Sequence, residues 1–243
     1  MGAEVIRVPA WWRGPPRSAN GGYTCGLVAG AMGVTAAEVT LRDPPPLERD
    51  LALEPHAEGI TVRDGSTVVA EGRPARVELQ IPEAPSPLRA EEAARAGYER
   101  WSARHPFPGC AVCGPEREQG DGLRIFPGQL DEHGLFASVW TPHGSVAGDD
   151  GTVLPECVWA ALDCPTSAPV RHYDEGPPAV LGRLAASIDA PVRVDQAHVI
   201  VSWALERDGR KRSAAAALFD HCGRMLARSR AVWIELEEEK RRG

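Results

Sequence analysis

Apolar and polar positions alternate most clearly in the last third of the chain. From Gly182 through Val199-Ile-Val-Ser-Trp-Ala-Leu to Leu236 the rhythm predicts one strand meander, with turns at Arg207-Asp-Gly-Arg210 and Asp220-His-Cys-Gly223. A fainter version of its ending lies upstream. Val69-Ala-Glu-Gly-Arg-Pro-Ala-Arg-Val-Glu-Leu79 and Leu226-Ala-Arg-Ser-Arg-Ala-Val-Trp-Ile-Glu-Leu236 share Ala, Arg, Glu and Leu in register. Such a recurrence points to an internal duplication.

The first half, residues 1–80, opens with an edge strand at Val5–Val8. Asn20 to Met32 is nearly uncharged and rich in small side chains. It predicts a helix packed closely on several sides, capped by Asn20 and ended by Gly33. Strands follow at Ala37–Leu41, from Leu51 on to Val62, and at Thr67–Leu79 after the Asp64-Gly65 turn. Residues 81–108 read as a stiff Pro-rich connector and a linker helix capped by Ser86, with Leu88, Ala93 and Trp101 as a weak docking face. In the second half, residues 109–243, strands are expected at Gly122–Phe126 and Leu135–Thr141, and a turn-rich loop at Pro142–Val153. A second helix, Pro155–Asp163, is expected to stop at Pro165, with a loop to about Pro178 before the meander.

Composition narrows the function. The chain has 243 residues, with 43% hydrophobic and 25% charged residues, ordinary for a globular protein. A net charge of −7 leaves no basic footprint for nucleic acid. No apolar run reaches the roughly 18 residues of a membrane span. The six cysteines are too sparse for a disulfide scaffold. With a strand-like Met1–Val8, they lead to the expectation of a cytoplasmic protein.

The order strand, buried helix, long sheet, met twice, resembles the hotdog fold. The chain looks like a double hotdog: an α+β protein of two long antiparallel sheets, each wrapped round a central helix, forming a pseudo-dimer. Cys110-Ala-Val-Cys-Gly-Pro115 followed by Gly122-Leu-Arg-Ile-Phe126 is similar to the opening of phenylacetate-pathway-type acyl-CoA thioesterases. The first half matches through Asn20-Gly-Gly-Tyr23 and its final strand.

The resemblance implies a split site. A Gly-Gly helix start offers backbone N–H groups to a thioester carbonyl, and a carboxylate two turns along the partner helix faces it. Seven residues after Gly22 stands Ala29, whereas seven after Glu156 stands Asp163. The first half therefore keeps the glycines without the acid, and the second keeps the acid without the glycines. Gly21, Gly22 and Asp163 would form one live site, and Glu156 with Ala29 one dead one. Asn20, Tyr23 and Trp159 are the expected substrate contacts. Asp163 also has a plain reading as a helix-end hydrogen-bonder, and Gly21-Gly22 as a close-packing device.

Cys110-x-x-Cys113 has zinc-ligand spacing, but no second close pair follows, and only Cys157 and Cys164 would complete a set of four. The pair is read as a tight turn before Gly114-Pro115, with no metal expected. Cys164 follows Asp163 without a histidine placed by sequence to activate it. No cofactor is expected beyond the coenzyme A of the substrate. The expected protein is an acyl-CoA thioesterase without nucleic-acid or membrane partners, assembling as a dimer of double hotdogs. Two other readings are a non-catalytic acyl-CoA binding protein and an enoyl-CoA hydratase or dehydratase, the latter lacking a clear carboxylate–histidine pair.

Overall fold

The computed structural model describes residues 4–131, 133–170 and 178–236. In chain order its elements are β1 (Val5–Arg7), α1 (Gly21–Ala31), β2 (Ala36–Leu41), β3 (Asp50–His56), β4 (Gly59–Asp64), β5 (Thr67–Pro74) and α2 (Pro87–Arg104). There follow β6 (Gly128–Gln129), β7 (Leu135–Trp140), α3 (Pro155–Asp163), β8 (Ala179–Ile188), β9 (His198–Asp208), β10 (Lys211–Phe219) and β11 (Met225–Glu235).

The strands form one eleven-stranded sheet, ordered β1-β3-β4-β5-β2-β8-β11-β10-β9-β7-β6. The expectation of two sheets is thereby corrected. The seam is antiparallel pairing of β2 with β8, from Ala36 opposite Ser187 to Thr40 opposite Arg183. It satisfies backbone groups that two separate sheets would leave as open edges. Outwards from this seam the strands run β5, β4, β3, β1 on one side and β11, β10, β9, β7, β6 on the other. The meander holds for β9, β10 and β11, but β8 pairs with β11 rather than with β9, because it also carries the seam.

Alternation along the strands sorts residues onto two faces. Ile200, Ala216 and Leu218 join the main core with residues of α1 and α3, including Val28, Val158 and Leu162. Val199, Val201, Ala217 and Phe219 point to the other face, where Ala90 and Ala93 of α2 cover them. The α2 helix is thus a lid on the second face, docked through Ala90 and Ala93, while Trp101 near its end joins the main core. Leu88, expected in that docking face, is exposed. The main core draws on both halves of the chain, from Val8 and Val39 to Leu184 and Trp233.

Several boundaries differ from expectation for local reasons. Gly122–Phe126 is not a strand. Leu123 and Ile125 donate their N–H groups to Ala111 O and Val112 O, and Arg124 between them has φ +55°. A positive φ removes the residue from the extended region. The ladder of β5 with β2 ends where Ala37 faces Pro74, short of Leu79. Helix α3 spans Pro155–Asp163 as expected, but Pro165 does not end the winding, which continues as a 3-10 turn through Ser167. Proline fits there because the first turn of such a segment needs no N–H donor.

Candidate active site

Helix α1 starts at Gly21 because Asn20 is a good cap: its Oδ1 accepts from Tyr23 N at 2.8 Å. The helix has no charged residue and small side chains on several faces, so α3 can pack directly on it. The approach is close enough to require glycine. A Cβ on Gly22 would lie 2.4 Å from Asp163 Cβ and 2.9 Å from Trp159 O. One on Gly26 would lie 2.5 Å from Glu156 Cα. The helices therefore cross with the start of α1 against the end of α3.

That crossing brings three expected site residues into contact. Gly22 N donates to Asp163 Oδ2 at 2.9 Å, and Asn20 Nδ2 donates to the same oxygen at 3.2 Å. Asp163 is 2% exposed and Asn20 3%. Among the described residues Asp163 Oδ1 accepts no hydrogen bond. Burial raises the carboxyl pKa to about 7, against the lowering effect of the Gly22 N–H. A carboxyl group in that state suits proton transfer near neutrality.

The other expected residues are arranged differently. A Cβ on Gly21 would point to the sheet, meeting Leu41 and Leu181. Tyr23 is buried with its ring stacked on Trp12, centroids 3.9 Å apart. Trp159 is buried and lies over Gly22 and Gly26 at the helix crossing. At the other end of the crossing Glu156, half-buried, meets Gly26.

Three thiols converge behind Asp163. The Sγ atoms of Cys110, Cys113 and Cys164 lie within 4.8 Å of one another, all buried. Asn20 Nδ2 is 3.6 Å from Cys164 Sγ, so one amide touches both the carboxylate and this cluster. Cys110 is held well below the usual thiol range by hydrogen bonds from Cys113 and Cys164, whereas both of those are raised well above it. His105 Nε2 is 3.2 Å from Cys113 Sγ, and burial lowers its pKa to about 4. Cys157 stands outside the cluster. The Cys110-x-x-Cys113 spacing, with Cys164 as one of two cysteines able to complete a set, is the sequence signal for this convergence.

Among the remaining histidines, His143 caps a 3-10 turn by accepting from Ser145 N, and His198 contacts Arg193 O at 2.9 Å. His172, which with His143 flanks α3 in sequence, lies outside the described residues. A groove of about 700 Å³ lined by Ile81, Trp203, Leu205 and Arg230 lies beside Trp203, which packs on the α2-covered face. No described helix is long and apolar enough to cross a membrane.

No known protein-family model and no curated protein matches the chain. Solved structures do. The tesB protein of Mycobacterium avium subspecies paratuberculosis is 14% identical, with 96% of each chain covered and a TM-score of 0.60. A thioesterase candidate from Novosphingobium aromaticivorans is 14% identical over 96% of this chain and 95% of that one, TM-score 0.59. A hot dog fold protein of unknown function from Alicyclobacillus acidocaldarius is 10% identical over 96% and 92%, TM-score 0.59. These likenesses show a hotdog-type fold over nearly the whole chain.

Proposed function

We propose that the protein hydrolyses an acyl thioester, with coenzyme A as the carrier, at the junction of α1 and α3. The observation that carries the reading is the 2.9 Å hydrogen bond from Gly22 N to Asp163 Oδ2. It joins a helix start, where unpaired N–H groups and the helix dipole favour negative charge, to a buried carboxylate from the other half of the chain. The hotdog-type fold, shared with the thioesterase candidate from Novosphingobium aromaticivorans, supports the same class of reaction.

In this reading the thioester carbonyl oxygen takes the Gly22 N–H from Asp163 Oδ2, exchanging one oxygen for another. The displaced carboxylate accepts a proton from water, whose oxygen attacks the carbonyl carbon. Charge gathering on the carbonyl oxygen is held by the α1 start. The carbon–sulfur bond then breaks, and the proton leaves Asp163 for the departing thiolate. Asn20 keeps the carboxylate aimed through its Nδ2.

The strand order, mirrored about the β2–β8 seam, supports two fused hotdog copies, residues 1–80 and 109–243 joined by 81–108. The arrangement is then a pseudo-dimer with one live site, since Ala29 and Glu156 replace the carboxylate and the second glycine. A dimer of such units is the expected assembly. A hydratase is less well supported, because half-buried His105 contacts Cys113 and buried His198 contacts Arg193. The non-catalytic binding reading draws on the fact that Gly22 N–H is already paired inside a closed crossing.

The test is steady-state hydrolysis of a panel of short, long and aromatic acyl-CoAs. Turnover that falls in Asp163→Asn by about 100-fold or more supports the enzyme. Acyl-CoA binding without turnover in the wild type supports the binding protein instead. Equal turnover in wild type and Asp163→Asn removes Asp163 from the reaction.

A further inference from the structure

We infer that Cys110, Cys113 and Cys164 bind a thiophilic divalent cation, zinc by its chemistry, which clamps residues 105–114 onto the end of α3. The sulfur atoms lie within 4.8 Å of one another, with Cys110 and Cys164 at 3.9 Å. In a tetrahedral zinc site, bonds of about 2.3 Å place thiolate sulfurs about 3.8 Å apart. The cluster is thus near ligand spacing, and it is buried.

The local backbone is built for this. Cys110 to Gly114 is a tight turn closed by Gly114 N donating to Cys110 O at 2.9 Å. A Cβ on Gly114 would lie 2.4 Å from Pro108 O and 2.5 Å from Cys110 N, so the turn needs glycine. Cys164, the residue after α3, supplies the third sulfur from a separate element.

Two of the three sulfurs have an outer donor beside them. Cys164 receives Asn20 Nδ2 at 3.6 Å. Cys113 faces His105 Nε2 at 3.2 Å. His105 Nδ1 accepts from Phe107 N at 2.9 Å, which leaves the ring proton on Nε2. His105 therefore donates to the Cys113 thiolate rather than ligating the ion. Three protein ligands leave the fourth position to an exogenous ligand such as water.

The consequence reaches Asp163 through the chain and through Asn20. An ion on Cys164 fixes the residue next to Asp163, and Asn20 spans both. The metal is thereby a positioning device for the carboxylate, and its presence does not depend on which reaction the site performs.

The experiment is metal analysis of the full-length protein purified under reducing conditions without chelator, followed by cobalt(II) titration of the metal-free form. About one equivalent of zinc per chain is expected, with a thiolate-to-cobalt charge-transfer band and the strong visible bands of tetrahedral cobalt. Cys110→Ser, Cys113→Ser and Cys164→Ser each lose the metal, and Cys222→Ser, altered at an exposed turn, keeps it. His105→Gln keeps the stoichiometry but binds about 10- to 100-fold more weakly. Should the cysteine variants not fold, release of the wild-type metal by a thiol-modifying reagent carries the same information. Uptake below about 0.1 equivalent by the fully reduced wild type overturns the site. So does a Cys110–Cys164 disulfide in freshly isolated protein, or full metal retention in Cys164→Ser. Complete metal loss in His105→Gln overturns its assignment as an outer donor.

Discussion

Gly22 N donates to Asp163 Oδ2 at 2.9 Å across 141 positions of sequence, and that bond ties together the two helices at the centre of the molecule. It caps one helix with the last residue of the other. The same bond makes Asp163 both a structural partner and the reacting carboxylate of the proposed site, and the two roles separate experimentally.

Asp163→Asn keeps an oxygen for Gly22 N–H but loses the base. Stability by chemical denaturation should change by less than about 1 kcal/mol. Asp163→Ala, by contrast, strands two buried donors and opens a gap, and should cost about 2–4 kcal/mol. Similar losses in both variants would show that the contact does not depend on the carbonyl oxygen.

Gly22→Ala and Gly30→Ala form a matched pair on one helix. At Gly22 the added methyl meets Asp163 and the Trp159 carbonyl, whereas at Gly30 nothing lies within 4 Å. Gly22→Ala should destabilise by about 1–3 kcal/mol through overpacking. Gly30→Ala should stabilise by up to about 1 kcal/mol through helix propensity. A neutral Gly22→Ala would mean that the helices do not approach this closely.

Asn20→Ala removes the cap on Tyr23 N and a donor to Asp163. A loss of about 1–2 kcal/mol is expected, with a fall in turnover at unchanged acyl-CoA binding. A fall in binding alone would place Asn20 at the substrate rather than behind the carboxylate.

The shared core predicts one cooperative unfolding transition for the whole chain. Leu184 lies opposite Val39 across the seam, and both are fully buried. Leu184→Ala should cost about 2–5 kcal/mol and shift tryptophan fluorescence and circular dichroism together. Two separate transitions would show that the halves fold independently.

Much of the site was legible from residue order. Asn20 caps α1 because a polar side chain stands before an apolar, small-residue run. The bounds of α3 follow from Pro155 and its apolar face. The resemblance to hotdog thioesterases, applied to the two halves, pairs Gly22 with Asp163, and the two are in hydrogen-bond contact. Gly21 and Tyr23 have surroundings that order alone does not give. They flank Gly22 in sequence, but successive helix residues point about 100° apart, so a Cβ on Gly21 would meet the sheet while the Tyr23 ring stacks on Trp12.

What the sequence determined by itself is what local physics writes into neighbouring residues: helix caps, strand alternation, glycine turns, and the small-residue face that lets α1 meet another helix. The tertiary structure alone decided the rest. Pairing of β2 with β8 turned two expected sheets into one, because a strand's pattern records which face is buried and not which edge it joins. Cys164 meets Cys110 across 54 positions, a contact that no local spacing encodes. It exists because the crossing of α1 and α3 carries the end of one helix to the turn at Gly114, and that crossing is set by close packing summed over the whole core.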